Sequence, residues 1–213
     1  MRAEKPGGPT GRIDKRQAIL DAAFTIFARD GYHLAGVDAI AVEARVAKHT
    51  IYNHFGDKEN LFREVVAALS DQALIRNLAA VELLGGRGDL AALLTETGLR
   101  LAECYCDERS EALRRLLQAN VLNMPDLLDI VSDRATDRVN DALAAQLARL
   151  ALADRLTFDG DPAIAAEQFG ALLTGPLENR SRLGTRKVSR AELRRVTENA
   201  VTTFLRAFGN DAQ

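Results

Sequence analysis

The 213-residue chain predicts an all-α fold, and two observations carry that prediction. The long intervals between its prolines and glycines are rich in Leu and Ala and poor in β-branched residues, which is typical of helices. Within those intervals, apolar residues recur every three or four positions, as they do on one face of an amphipathic helix. We expect about nine helices, arranged as a small N-terminal unit and a larger C-terminal one.

Composition excludes several classes of protein. A net charge of -2 argues against a protein that coats nucleic acid over its whole surface. No apolar run approaches the ~18 residues that span a bilayer, and Met1–Thr10 lacks the apolar segment of a signal peptide, so we expect a cytoplasmic protein. Cys104 and Cys106 point in different directions on a predicted helix, which makes a disulfide or metal pair unfavourable. No metal or other cofactor is expected.

The N-terminus is predicted to be a disordered basic arm over residues 1–11, because prolines and glycines are concentrated there. Such an arm suits contact with phosphates or the minor groove, yet many disordered tails are equally basic, and the sequence leaves both interpretations open. The cations of the first seventeen residues are Arg2, Lys5, Arg12, Lys15 and Arg16, against Glu4 and Asp14.

Helix one is predicted from about Arg12 to Arg29, with Gly31 as its C-terminal cap. The stretch Val37–Phe55 then predicts two short helices that meet at a tight corner. Ile40 and Ala41 lie on the buried face of the first, and Ile51 and Phe55, four residues apart, form the buried stripe of the second. The pattern is that of a helix-turn-helix, which predicts a DNA-binding protein.

The other face of the second short helix carries side chains that could read DNA. A helix fits the major groove, roughly 12 Å wide, where the base edges present a distinct pattern of donors and acceptors. A merely solvated helix face would have a similar composition, and these residues alone do not decide. The side chains are His49, Thr50 and Asn53 opposite the buried stripe, with Lys48, Tyr52 and His54 on its flanks.

Each later helix begins at an N-capping residue or a proline. Helix four, capped by Asp57, runs from Lys58 to about Leu84 and is predicted to connect the two units and to transmit changes between them. The other starts are Asp89 for helix five, Ser110 for helix six, Pro125 for helix seven, Asp161-Pro162 for helix eight and the Ser189–Glu192 capping box for helix nine.

The last two helices have broad apolar faces, which could complete the domain core or pair with a second copy of the chain. We favour a homodimer through these two helices, because a two-fold protein matches the two half-sites that a short recognition helix needs.

The N-terminal residues resemble a known family. Ile13–Leu69, with ILDAAFTIFARDGY and then VDAIAVEARVAKHTIYNHFGDKENLF, resembles the DNA-binding domain of the tetracycline-repressor (TetR/AcrR) family of bacterial regulators. The resemblance implies a homodimer on a palindromic operator, with a C-terminal ligand cavity that weakens DNA binding when filled. It directs Lys48, His49 and Asn53 toward bases, and Thr50, Tyr52, His54 and Lys58 toward phosphates or the groove wall.

Three positions depart from the family pattern. Gly36 and Ala47 stand where a Ser or Thr is common at the start of the two short helices, and Arg45 occupies the turn position usually held by Gly. A non-glycine residue at positive φ costs roughly 1 kcal/mol, which we expect Arg45 to recover in part through a phosphate contact.

The resemblance divides the chain into the arm, a DNA-binding domain over residues 12–58 and a ligand-binding and dimerisation domain over residues 59–213. The effector is predicted to be small and mainly apolar, with one or two hydrogen-bonding groups. Candidate cavity residues, taken from the apolar stripes of four helices, are Leu101, Cys104, Tyr105, Leu116, Asn120, Met124, Phe169 and Leu172.

The predicted function is therefore a ligand-responsive repressor of transcription, with double-stranded operator DNA and a small-molecule effector as partners and no membrane partner. An enzyme is disfavoured, because the only histidines are His33, His49 and His54 in the N-terminal unit and no nucleophile–base pair appears beyond it. The alternative is a helical adaptor that binds other proteins without specific DNA binding.

Overall fold

The structure, a computed structural model, describes the backbone of residues 9–210 and the side chains from residue 15 onward within that range. Residues 1–8 of the predicted arm lie outside the described part of the chain. The all-α prediction is confirmed, since residues 9–210 form helices with no strand beyond an isolated bridge between Leu156 and Gly209.

The helices follow one another with short connections. A 3₁₀ turn, Glu82–Gly85, extends the fourth helix. A π-helical turn, Ser132–Thr136, joins the seventh helix to the eighth without a break. The described residues therefore form nine separate helical rods. The helices are α1 (Pro9–Leu34), α2 (Val37–Glu43), α3 (Lys48–Phe55), α4 (Lys58–Val81), α5 (Leu90–Tyr105), α6 (Glu108–Asn120), α7 (Asp126–Val131), α8 (Asp137–Leu152), α9 (Pro162–Ser181) and α10 (Arg190–Phe208).

Most of the predicted helix starts are confirmed by their capping bonds. The Asp57 carboxylate accepts from the Asn60 N–H at 2.7 Å, and the Asp89 carboxylate accepts from the Ala92 N–H at 2.7 Å. At α10, both bonds of the predicted Ser189–Glu192 capping box are present. These bonds satisfy N–H groups that have no partner inside the helix.

Two predicted boundaries need correction. α6 begins at Glu108 rather than Ser110, because Asp107 is the N-cap and accepts from the Ser110 N–H at 2.9 Å. α1 starts at Pro9 and continues beyond Arg29 to Leu34, with a bend at Gly31, whose φ of 75° interrupts the helical geometry. One more turn follows that bend, closed by the bond from the Ala35 N–H to the Gly31 carbonyl.

A first hydrophobic core joins the N-terminal helices to α4, α6 and α7. Phe27 of α1 meets Phe62 of α4 edge to face, with ring centroids 5.0 Å apart. From α6, Leu113, Leu116 and Leu117 enter the same core. The predicted domain boundary between residues 58 and 59 therefore falls beside a core to which helices from both sides contribute.

A second hydrophobic core lies between the end of α4 and helices α5, α8, α9 and α10. Phe169 of α9 and Phe204 of α10 meet edge to face at its centre, with centroids 5.1 Å apart. The apolar faces of α9 and α10 are thus used within the chain, since Leu173 and Val201 are also buried. A dimer through these helices must use their other faces.

A glycine controls the close approach of α5 to its neighbours. A Cβ added at Gly98 would lie 2.9 Å from the Thr197 Cγ2 and 3.4 Å from Leu173 and Phe169 side-chain atoms. All three of those residues are buried, so none of them can turn away into solvent. The contact requires a residue without a side chain at position 98.

We expect Gly98→Ala to destabilise the protein by about 1–3 kcal/mol, because overpacking outweighs the better helix propensity of alanine. Urea denaturation measures the change. Gly170→Ala is the matched control on α9, where an added Cβ meets no atom within 4 Å beyond its chain neighbours and the backbone of its own helix, and it should stabilise by about 0.5–1 kcal/mol. Equal stability of Gly98→Ala and the wild type would contradict the tight contact.

Candidate nucleic-acid interface and ligand cavity

Two buried side chains hold α3 against the N-terminal core. Ile51 is 1% exposed and Phe55 is 6% exposed, and both belong to the core formed with α1, α2 and α4. The Arg16 guanidinium of α1 lies 5.5 Å from the centroid of the Phe55 ring. Because one face of this eight-residue helix is fixed, the opposite face projects away from the protein.

The predicted reading face is accessible. Lys48, His49, Tyr52 and Asn53 are exposed, while Thr50 and His54 are half-buried. This distribution matches the helical projection made from the sequence, with the apolar stripe inward and the polar side chains outward. Their contacts with bases and phosphates stay a prediction.

Two cations near α3 have partners within the protein. The Lys48 ammonium donates to the Asp38 carboxylate of α2 at 2.9 Å, and this hydrogen bond raises the pKa of Lys48. The Lys58 ammonium donates to the His33 carbonyl at 3.2 Å and lies 4.7 Å from the centroid of the Tyr32 ring. Burial lowers the pKa of Lys58. Lys58 thus ties the start of α4 to the end of α1.

The corner between α2 and α3 places Arg45 at a positive φ, as the sequence predicted. Arg45 is exposed and has a φ of 54°, in the left-handed region where glycine is favoured. Gly36 and Ala47 are the N-caps of the two helices, and neither makes a side-chain capping bond. The first turns of α2 and α3 therefore have N–H groups without a side-chain acceptor.

Two apolar side chains close to the helix-turn-helix are exposed. Val42 of α2 is 80% exposed and Leu34, at the end of α1, is 85% exposed. Val42 is not among the predicted site residues, although it projects away from the face shared by Ile40 and Ala41. A helical projection of α2 is the signal that would have identified Val42 as an exposed apolar side chain.

The second candidate site is a partly open cavity of about 290 Å³ lined by α4, α5, α6, α9 and the α7–α8 rod. Its wall is mainly apolar, with polar side chains at a few places, as is common for small-molecule sites. The lining residues are Ser70, Ala73, Asn77, Leu101, Ala102, Cys104, Tyr105, Ser110, Leu113, Arg114, Leu117, Val131, Ala135, Thr136, Val139, Asn140, Leu143, Gly170, Leu173 and Thr174.

Models of two families match most of the chain. Residues 19–65 match bacterial regulatory proteins of the tetR family, and residues 92–210 match the C-terminal domain of AefR-like transcriptional repressors. The chain belongs to the TetR family of bacterial transcriptional regulators. It is therefore a DNA-binding regulator rather than an enzyme.

Two relatives and one solved structure support the assignment to this family. The HTH-type transcriptional repressor Rv3405c of Mycobacterium tuberculosis is 29% identical over 92% of each chain. The HTH-type transcriptional activator FasR of Mycolicibacterium smegmatis is 30% identical over 65% of this chain and 63% of its own length. A TetR-family structure from Mesorhizobium loti superposes with a TM-score of 0.85, at 31% identity over 93% of this chain and 98% of that one.

The cavity of this TetR-family regulator contains three of the eight predicted residues, Leu101, Cys104 and Tyr105. The other five, Leu116, Asn120, Met124, Phe169 and Leu172, do not line it. Leu116 and Met124 face the first core, and the Asn120 side-chain amide donates to the Leu116 carbonyl at 2.7 Å. Phe169 packs in the second core and Leu172 packs against it. Apolar stripes identified buried faces but not the neighbour that each face meets.

Sequence reasoning also missed a charged residue in the cavity wall. Arg114 of α6 lines the cavity, and its guanidinium carbon lies 3.7 Å from the centroid of the Tyr105 ring. Burial raises the pKa of Tyr105, which keeps its hydroxyl protonated. An arginine beside an apolar stripe looks like a surface residue, so the sequence held little signal for this placement.

Within the described part of the chain, no helix is both long and apolar enough to cross a bilayer. No group of three or more described His, Cys, Asp or Glu side chains is placed to hold a metal ion.

We expect Arg45→Gly to stabilise this regulator by roughly 1 kcal/mol, because glycine adopts a φ of 54° without steric cost. Urea denaturation measures that gain. If Arg45 contacts a phosphate, the same variant should also lose DNA affinity and show a shallower dependence of affinity on salt. A more stable variant with unchanged affinity and salt dependence would remove Arg45 from the contacts.

Proposed function

We propose that this TetR-family regulator is a homodimeric repressor that binds a palindromic operator through α3 and leaves it when a small, mainly apolar effector fills the cavity. The observation that carries the proposal is the position of α6. Leu113 and Leu117 line the cavity and also belong to the first hydrophobic core, which includes the N-terminal helices α1, α2 and α3 and is called the core of the DNA-binding unit below. The protein would act in the cytoplasm, where it meets chromosomal DNA.

The exposed face of α3 supports DNA reading. Asn53 and His49 offer side chains that can bond base edges in the major groove. The uncapped first turns of α2 and α3 offer N–H groups and positive helix ends, which favour phosphates. Lys48 would exchange Asp38 for DNA, because an exposed ion pair is easily replaced.

The path from the cavity to α3 would run through α6 as well as α4. Arg109 of α6 pairs with Asp21 of α1 at 2.8 Å, so movement of α6 would be felt at α1. On α4, Arg63 pairs with Asp126 of α7 at 2.6 Å, and Asp71 pairs with Arg134 of the π-helical turn at 3.0 Å. An effector that prefers the released conformation by ~100-fold, about 2.7 kcal/mol, would give useful derepression.

A dimer would use the outer face of α9, which remains free in the single chain. Ile164, Gln168, Ala171, Gly175 and Asn179 are exposed and follow one another at spacings of three or four residues, so they form one stripe. Ile164, which is 55% exposed, gives this stripe a large apolar side chain. Small residues in the stripe would allow the helices of two copies to pack closely.

Repression is proposed over activation because the AefR-like repressor model covers residues 92–210 and the repressor Rv3405c aligns over most of the chain. The alternative, a helical adaptor without specific DNA binding, predicts no sequence preference. Selection of bound duplexes from a random pool, followed by titration at several salt concentrations, tests the proposal. A folded dimer without sequence preference or steep salt dependence would refute it.

We expect Asn53→Ala to weaken binding to the selected operator by about 1–3 kcal/mol and to leave binding to a scrambled duplex unchanged, because base contacts carry specificity. Fluorescence anisotropy with both duplexes measures the difference. Asn199→Ala, at an exposed position of α10, is the matched control and should change neither affinity. An equal loss on both duplexes would assign Asn53 to the backbone or to folding.

We expect Ala171→Arg to convert the dimer to a monomer while the fold is kept. Ala171 is exposed and already has a Cβ, so a longer side chain fits its own chain, but a charged one would obstruct a second copy. Sedimentation velocity measures the mass, and circular dichroism measures the fold. Ala119→Arg, at an exposed position of α6, is the control. A variant that stays dimeric would locate the interface elsewhere.

A further inference from the structure

We propose that the effector carries an acidic group, and that the Arg114 guanidinium binds this group inside the cavity. The inference rests on the proposed function, because it assigns the chemistry of the ligand to the site proposed above. The ligand class is an amphipathic acid, with one anionic group on an apolar aromatic or aliphatic body.

The first observation is an unused hydrogen-bond donor. Arg114 is half-buried, yet its Nη2 atom is shielded from solvent and has no hydrogen-bond partner among the residues that the structure describes. A shielded donor without an acceptor is unfavourable, and buried polar groups in folded proteins are nearly always bonded. Arg114 lines the cavity, so a shift of the guanidinium within its own plane would bring this donor to an acceptor on a bound ligand.

The second observation is that Arg114 forms no salt bridge with a described residue. Between residues 15 and 210, no salt bridge includes Arg114. Its neighbours differ, since Arg76 pairs with Asp107 at 2.9 Å and Arg109 pairs with Asp21 at 2.8 Å. The nearby Glu111 carboxyl compensates only in part, because burial raises its pKa and its Oε1 atom is also without a partner.

The third observation is that the guanidinium is already oriented. Its carbon lies 3.7 Å from the centroid of the Tyr105 ring, so the Tyr105 ring covers one face of the group. Stacking on a ring leaves the N–H groups free at the edge of the guanidinium plane, where they match the two oxygens of a carboxylate. Leu101, Leu113 and Leu143 line the same cavity and suit an apolar body.

These positions also connect binding to regulation. Arg114 lies between Leu113 and Leu117 on α6, the helix that enters the core of the DNA-binding unit. An anion bound at Arg114 would therefore act on the helix that reaches α1. A purely apolar ligand would fill the cavity without this contact.

Two dyes that differ by one group test the proposal. 1-Anilinonaphthalene-8-sulfonate carries a sulfonate, and N-phenyl-1-naphthylamine is the same molecule without it. We expect the wild-type dimer to bind the sulfonate dye about tenfold more tightly in a fluorescence titration, and Arg114→Met to abolish that preference while binding of the neutral dye changes by less than about twofold. Arg114→Lys should keep part of the preference, because it keeps the charge.

Two controls locate the effect. Arg100→Met removes an exposed arginine of α5 that pairs with Glu96 and should leave both dyes unaffected. Gly170→Leu adds a side chain at a lining position where a Cβ meets no atom within 4 Å, and it should weaken both dyes together. Thermal unfolding confirms that each variant is folded.

Equal affinity of the wild type for both dyes would overturn the inference, as would a sulfonate preference that persists in Arg114→Met. Binding of the sulfonate dye that Gly170→Leu leaves unchanged would also overturn it, because the dye would then lie outside the cavity. Operator binding is measured separately, without dye, on the wild type and on Arg114→Met. If the wild type does not bind operator DNA, the regulator function is refuted and the comparison of the two dyes still stands. Equal dye affinities with normal operator binding would refute only the acidic ligand.

Discussion

The packing of α6 against α1 and α4 is the interaction on which the two parts of this regulator depend. Leu113, Leu116 and Leu117 place one face of a single helix in the core of the DNA-binding unit, and two of these residues also reach the cavity. A close-packed interior transmits displacement, because its side chains have few alternative arrangements. In the proposed mechanism, a change in the cavity wall would therefore reach the N-terminal helices through apolar contacts.

Polar contacts at the edge of this packing set the relative positions of helices rather than add much stability. Arg63 bonds both Glu59 and Asp126, which links α4 to α7. Arg134 bonds Asp71, which links the π-helical turn to the middle of α4. Pairs this exposed to solvent contribute on the order of 0–1 kcal/mol each. Each pair instead joins α4 to a neighbouring element at a defined point. One of these elements is a π-helical turn, and such turns are frequent at functional sites.

The helix-turn-helix has a well-packed buried face, but its corner lacks stabilising side-chain capping bonds. Ile51 and Phe55 hold α3 from beneath, whereas the corner has a left-handed Arg45 and two N-caps without side-chain bonds. Each of these features lowers local stability relative to a glycine turn with Ser or Thr caps. The same features leave N–H groups and a cation at the surface that would face DNA, where phosphates can satisfy them. In the proposed function, stability and recognition would make opposite demands on the same few residues.

The sequence by itself determined the helices and the exposed face of α3. Periodicity and capping residues located the helices, and projection of α3 separated its buried stripe from its exposed side chains, because both properties depend on residues a few positions apart. Only the tertiary structure decided which helix meets which. Leu116 and Phe169 are buried as predicted but belong to the cores and do not line the cavity. The Lys58 ammonium bonds the end of α1, and the half-buried Arg114 lines the cavity. A stripe specifies an angle around one helix axis, whereas the neighbour that covers that angle is set by contacts between residues far apart in the chain.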